Sequence, residues 1–202
     1  MIDIVIPNGN EEEFVTIAEK LGFKGLCFLY DANDYLAKRK IENKKSKIKI
    51  YKGVLTNPKN IGKIKTNLKD NNTFIAIKSS NNDRDVIEKS GAGIIFSLED
   101  DLRRDFIHQR ASGLNHIMCK LAKQNNVIIG FSIKSILNFE KKHVVLGRIA
   151  QNIKICRKFK TKILVASFAE KPFEMRSVHD IISLFGFLGL KGNIFLKEKD
   201  MK

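Results

Sequence analysis

The sequence predicts a closed α/β barrel of alternating parallel strands and helices, and three observations point to it. Short apolar runs alternate with amphipathic stretches almost from end to end of the 202 residues. The apolar runs are continuous rather than alternating with polar residues, as strands buried on both faces must be. Counted along the chain there are about eight such units, the number at which right-handed crossovers close a parallel sheet into a barrel. An open doubly wound sheet is the competing arrangement. Neither a linker nor an internal repeat interrupts the pattern, so residues 1–202 are expected to form one domain.

Ile2–Ile6 reads as the first strand. A helix near Asn10–Leu21 follows, because Phe14, Ile17, Ala18 and Leu21 recur at i, i+3, i+4 and i+7. Asn10 can cap it, Glu11, Glu12 and Glu13 suit the positive end of its dipole, and Gly22 ends it. Gly25–Leu29 and Lys47–Leu55 are the next strands, with helices near Asn33–Glu42 and Pro58–Lys69, the latter carrying Ile61, Ile64 and Leu68. Thr73–Ile77, a short helix near Asn82–Lys89, and Gly93–Ser97 continue the pattern.

A long polar loop through Arg110 then leads to a helix over Ser112–Asn125, opened at Ser112. Leu114, Ile117, Met118, Leu121 and Ala122 form its inward stripe, and Lys120 and Lys123 stay on its wet side. Val127–Ser132 is the sixth strand, followed by a short apolar turn over Ile133–Phe139, a helix near Val144–Lys158 and a seventh strand, Lys162–Ser167. The last helix opens at Ser177, with Asp180 three residues on as in a capping box, and is buried by Ile181, Ile182 and Phe185. Asn193–Leu196 is a candidate eighth strand.

A chain of this length buries roughly 70% of the surface it exposes when unfolded. With 43% hydrophobic residues it needs neither metal nor disulfide to fold. The three cysteines, Cys27, Cys119 and Cys156, lie among apolar residues with no CxxC, and read as buried reduced thiols. The N-terminus does not read as a signal peptide, and no apolar stretch approaches the ~18 residues of a membrane span. A cytoplasmic protein without membrane association is expected.

The residues that could carry chemistry are few. The strand ends read Pro7-Asn8-Gly9, Tyr30-Asp31, Thr56-Asn57, Lys78-Ser79-Ser80, Ser97-Leu98-Glu99, Ser132 and Ser167-Phe168-Ala169, with only Asp31 and Glu99 as carboxylates. A metal-dependent phosphoesterase needs His and Asp clustered from several strands. Of the four histidines, His108, His116, His143 and His179, none forms an H-x-H pair and none ends a strand. His116 reads as a partly buried structural group. No GxGxxG, GxxxxGK[ST] or G-x-S-x-G occurs. Catalytic residues and metal ligands are expected to be absent, leaving a metal phosphoesterase or a basic scaffold only as rival readings.

Thirty-seven Lys and Arg against 22 Asp and Glu give a formal net charge of +15, a surface that gathers polyanions. Three basic groups stand out: the run from Lys38 through Lys52; Arg103, Arg104 and Arg110 in the long loop with Lys120 and Lys123 on the helix after it; and Arg157, Lys158, Lys160 and Lys162. Arginine suits bidentate phosphate contact better than lysine. The 14 Phe fall largely in apolar runs and read as core rather than as platforms for stacking bases.

From Arg104 to Leu137 the chain resembles protein component 3 of archaeal ribonuclease P, the p30 family. The resemblance rests on Arg110, Ser112-Gly113-Leu114-Asn115-His116, Lys120-Leu121-Ala122 and Val127 to Ser132, with support from Ser167-Phe168-Ala169, Arg176-Ser177 and Ile181–Leu190. It implies a TIM-like, PHP-related barrel without the metal ligands of PHP phosphoesterases. It also implies a protein subunit of the ribonucleoprotein that removes 5′ leaders from precursor tRNA, whose RNA subunit holds the active site and its Mg²⁺. The implied partners are that catalytic RNA, a small ferredoxin-like protein subunit and the other ribonuclease P proteins, with precursor tRNA as substrate. Arg104, Arg110, Lys120, Lys123 and Arg176 are the RNA contacts this reading favours. Two departures are Phe168, where the family commonly has glycine, and Val178, where it commonly has proline.

Overall fold

The computed structural model describes residues 1–38, 47–62, 74–89, 91–100, 104–108, 110–138, 140, 142–192 and 194–198. Seven strands form one parallel sheet in the order of the chain: β1 (Ile2–Val5), β2 (Gly25–Tyr30), β3 (Lys49–Thr56), β4 (Phe74–Lys78), β5 (Ile94–Phe96), β6 (Ile128–Ser132) and β7 (Ile163–Ala166). Among the described residues the helices are α1 (Glu11–Lys20), α2 (Ala32–Lys38), α3 (Asp83–Lys89), α4 (His116–Gln124), α5 (Ile133–Asn138), α6 (Lys142–Phe159) and α7 (Val178–Phe187). Single 3₁₀ turns, η1 (Pro58–Asn60), η2 (Leu98–Asp100) and η3 (Pro172–Glu174), follow β3, β5 and β7. The remainder of the helices predicted after β2 and β3, including Arg39 to Lys45 and Ile64 and Leu68, lies outside the described residues.

The sheet curls until β7 meets β1. Val5 bridges Ala169 in parallel, Ile6 N–H donates to the Ala169 carbonyl at 2.8 Å, and Phe168 N–H donates to that of Ile4 at 2.8 Å. The eighth strand expected over Asn193–Leu196 is not formed among the described residues. Ile194 accepts from Val165 N–H at 2.7 Å and Leu196 makes one antiparallel bridge to Ile2, so this segment wedges between β1 and β7 rather than extending the parallel sheet. The barrel is nearly closed by seven strands.

Asp3 sits at that seam, wholly buried. Its Oδ1 accepts from Ser167 N–H at 2.8 Å and from Ile4 N–H at 2.9 Å, tying the first strand to the end of the last. Burial raises its pKa to about 6, against the pull of the Ser167 hydrogen bonds.

Inside the barrel Ile4, Cys27, Phe74, Ile94, Phe96, Leu164 and Phe168 pack into one apolar cluster, and the helices cover the outside through a larger one. The three cysteines are buried and free, with Cys119 and Cys156 Sγ atoms 3.9 Å apart between α4 and α6. Phe168 takes φ +47°, left-handed backbone that glycine adopts without cost and a phenylalanine does not. Its ring is stacked on Phe96 with centroids 3.9 Å apart and is 1% exposed. Val178, the other departure, starts α7 and donates its N–H to the Leu21 carbonyl at 3.3 Å, a bond proline cannot make.

The caps show where pattern and structure part. Ser177 accepts from Asp180 N–H at 3.1 Å and caps α7, the first half of the predicted capping box. Asn10 stands before α1 but accepts from Asn8 N–H instead of capping. α4 starts at His116, not Ser112: Asn115 Oδ1 accepts from Met118 N–H at 2.9 Å and is the cap. Ile133–Asn138, expected as a turn, is a helix. Ile117 and Ile182, placed in the inward stripes, are 43% and 44% exposed. Among the described residues no helix is long and apolar enough to cross a membrane.

Phe168→Gly weighs strain against packing. Relief of left-handed backbone returns about 1–2 kcal/mol, while loss of a buried phenyl ring costs about 3–5 kcal/mol. The variant is expected to be less stable than the wild type by about 2 kcal/mol in urea denaturation.

Candidate nucleic-acid interface

The loop between β5 and α4 and the outer faces of α4 and α6 gather most of the residues singled out in the sequence. β5 ends at Ser97, which takes φ +61°, and η2 turns the chain outward. Gly113 allows it to return: its φ is +74°, and a Cβ there would lie 2.3 Å from the Leu98 carbonyl oxygen. Ser112 is buried, its carbonyl accepting from Asn152 Nδ2 at 2.8 Å and its hydroxyl from Gln151 Nε2 at 2.9 Å. It therefore docks the loop on α6 instead of opening α4.

The loop is held by a residue the sequence reading overlooked. Arg148, in the middle of α6, is the largest wholly buried side chain among the described residues. Its Nε and Nη2 lie 2.9 Å from Asp105 Oδ1, and its Nη1 donates to the Glu99 carbonyl at 3.1 Å. Asp105 Oδ1 also accepts from Ala111 N–H at 2.9 Å, closing the loop on itself. No local signal marks Arg148, since a charge in an amphipathic helix ordinarily reads as a solvated residue.

Arg104 and Arg110 project from this loop and are exposed. The Arg110 guanidinium lies over Gly147 of α6, where a Cβ would come within 2.3 Å of Nη1. Lys120 and Lys123 are exposed on α4, as predicted. Lys120 Nζ stands 5.6 Å from the centre of the Phe159 ring and Lys158 Nζ 5.9 Å from it, so the second and third basic groups of the sequence meet on one face. His116, expected to be partly buried, is exposed, with its ring 6.3 Å from Phe159. Among the described residues none of Arg104, Arg110, Lys120, Lys123 and Lys158 is in an ion pair.

Arg176 lies elsewhere, at the corner between η3 and α7, two crossovers further round the barrel from α4. Its Nη1 donates to the Phe173 and Met175 carbonyls at 2.9 and 2.7 Å. In the first basic run, Lys49 pairs with Glu198 at 2.8 Å, while Arg39, Lys40, Lys44 and Lys45, like Arg103, fall outside the described residues. The reading of phenylalanine as core fails for three rings: Phe106, Phe173 and Phe187 are 70%, 84% and 88% exposed.

At the C-terminal mouth of the barrel a cleft of about 240 Å³ is lined by Lys78, Ser97, Asp100, Ser132, Lys134 and Ser135. Glu99 lies wholly buried beside it, accepting from Ser132 N–H at 3.2 Å. Burial pushes its pKa up to about 8, with the neighbouring Asp100 adding to the shift. Among the described residues no three His, Cys, Asp or Glu side chains converge as a metal site. Lys134 is paired with Glu170 across the mouth.

This is a nearly closed parallel α/β barrel with a loop-and-helix face of unpaired cations on one flank. Residues 1–194 match the sequence profile of RNase P subunit p30, and the chain belongs to that family. It is thus a protein subunit of ribonuclease P. It is 23% identical over 181 residues to Ribonuclease P protein component 3 of Methanocaldococcus jannaschii, covering 85% of this chain and 75% of that one. With the component 3 of Methanococcoides burtonii it shares 24% over 199 residues, 92% of this chain and 77% of the other. Among solved structures, a chain of archaeal ribonuclease P with mature tRNA superposes with a TM-score of 0.70 at 20% identity, covering 93% of this chain and 82% of that one. Histidinol phosphate phosphatase from Lactococcus lactis superposes with a TM-score of 0.65 at 8% identity, covering 94% of each. These two likenesses establish the TIM-like α/β barrel fold.

A carboxyl whose pKa is higher folded than unfolded stabilises the fold fully below its unfolded value, and that contribution is lost as pH rises through the folded value. For Glu99 the window runs from the ordinary glutamate range to about 8. Glu99→Gln is expected to melt at a higher temperature than the wild type at about pH 9 and to lose that advantage at about pH 4, read by thermal denaturation across pH.

Proposed function

We propose that this chain supports the catalytic RNA of ribonuclease P rather than cleaving RNA itself. The observation that carries the reading is the strip of exposed, unpaired cations along the β5–α4 loop, α4 and the end of α6, presented on a rigidly docked backbone. Counterions released from phosphates by these cations supply binding, and charge neutralised by protein need not be neutralised by Mg²⁺. Arg104, Arg110, Lys120 and Lys123 form the main contact, with Arg176 at its edge. In this reading the scissile phosphate and the catalytic Mg²⁺ belong to the RNA subunit, and the chain holds no metal of its own.

The packed barrel interior supports that division of labour. Phe96 and Phe168 stack across the barrel interior, and Glu99, beside the mouth, is buried with its pKa pushed up to about 8. A small ferredoxin-like protein subunit is the partner, with the other ribonuclease P proteins completing the assembly and precursor tRNA as its substrate.

The test is cleavage of a precursor tRNA by the catalytic RNA and partner subunit, titrated with Mg²⁺ in the presence and absence of this chain. Adding the chain is expected to lower the Mg²⁺ needed for 5′ cleavage. The R104A/R110A/K120A/K123A variant is expected to abolish that shift and to flatten the dependence of log affinity on log salt by about 3. An unchanged Mg²⁺ requirement, or hydrolysis of a generic phosphodiester by the chain alone, overturns the proposal.

A further inference from the structure

Phe106 and Ile107 stand side by side at the tip of the β5–α4 loop, 70% and 96% exposed. Isolated apolar side chains on a surface are ordinary, but an adjacent pair held clear of the protein is not. This pair is held. The residue before it, Asp105, accepts from Ala111 N–H and from two nitrogens of the buried Arg148, each at 2.9 Å. Both stems of the loop are thereby fixed to the barrel, and the tip is kept facing outward.

The neighbours of the pair decide what it faces. Arg104, His108 and Arg110 flank it on the same loop and are exposed. Asp105, the one carboxylate among the described residues from Arg104 to Asn115, is turned to Arg148. The centre of a protein–protein contact is depleted of charge, whereas here cations crowd the apolar pair on both sides. A phenyl ring bracketed by guanidinium groups suits a nucleotide: the ring meets the face of a base and the cations meet the phosphates on either side. Bases inside a helix are already stacked, so only an unpaired base offers its face.

We propose that Phe106 is a stacking platform for an unpaired base of RNA, with Ile107 packed against the adjoining sugar and Arg104 and Arg110 on the flanking phosphates. This rests on the RNA-binding reading above and adds to it a contact with a base, hence a preference for bulged or looped RNA over continuous duplex.

The full chain is mixed with two RNA hairpins of equal length, one carrying a single bulged 2-aminopurine and one fully paired. The wild type is expected to bind the bulged hairpin more tightly and to quench its fluorescence by stacking. Phe106→Ala is expected to bind the bulged hairpin about tenfold more weakly, with binding to the paired hairpin and the salt dependence of both unchanged. Phe106→Trp is expected to restore affinity and quenching. The side chain replaced is solvent-exposed, so these variants retain the fold. If Phe106→Ala binds and quenches the bulged hairpin as the wild type does, the proposal is wrong and the apolar tip belongs to a protein contact. If the wild type binds neither hairpin in a salt-dependent way, the RNA-binding reading falls and takes this one with it.

Discussion

A single guanidinium organises the flank of the barrel on which the functional reading rests. Arg148 carries its charge into the packed space between α6 and the end of β5, where an unpaired cation would be too costly to keep. It is kept because Asp105 lies against two of its nitrogens and the Glu99 carbonyl takes a third. The same Asp105 oxygen closes the loop through Ala111 N–H, so one buried charge fixes both where the loop leaves the barrel and which way its tip points. Arg104, Arg110 and Phe106 are exposed as a consequence of that arrangement, and Ser112 and Gly113 complete it by seating the return strand of the loop on α6 and under Leu98.

The interior of the barrel complements this flank. Asp3 and Ser167 join the first and last strands with buried hydrogen bonds, and Phe168 accepts left-handed backbone in return for a stack on Phe96. Aromatic rings thus occupy the space beneath the mouth where a barrel enzyme would present its reacting groups. Glu99, buried beside the mouth, accepts a hydrogen bond from Ser132 N–H, and burial pushes it toward its neutral form. A barrel whose interior is filled in this way retains its outer surface as the place to work, and here one flank of that surface carries the exposed cations of the loop, α4 and the end of α6.

Much of this was legible in the residues. Continuous apolar strands alternating with helices announced a parallel barrel, and each of the seven strands falls within a residue or two of its predicted run. Segment ends were harder. Residues 194–196 are as apolar as a strand, but only the geometry of the β1–β7 seam decides that they wedge rather than pair. Ser112 is a good capping residue in isolation, and tertiary hydrogen bonds to Gln151 and Asn152 override that preference. Ile117 and Ile182 follow helical spacing yet lie at the edge of stripes narrower than the pattern implied.

The site divided in the same way. Lys120 and Lys123 were placed correctly because a helix surface is set by local periodicity. The convergence of Lys120 with Lys158 on Phe159, and the bond of Arg148 to Asp105 across 43 residues, depend on how α4 and α6 dock and leave no local trace. Phe106 is one of the phenylalanines outside the general core reading, and an apolar pair inside a polar loop is itself the signal that both are held out.

The central claim is that the clamped loop, α4 and the end of α6 form the RNA-facing side of the protein. Photo-crosslinking of the chain bound to ribonuclease P RNA, with adducts located by mass spectrometry, tests it directly. Adducts are expected to concentrate between Arg104 and Lys123 and at Lys158. Adducts confined to the barrel mouth around Lys78 and Lys134, or to the flank of α1 and α2, contradict it.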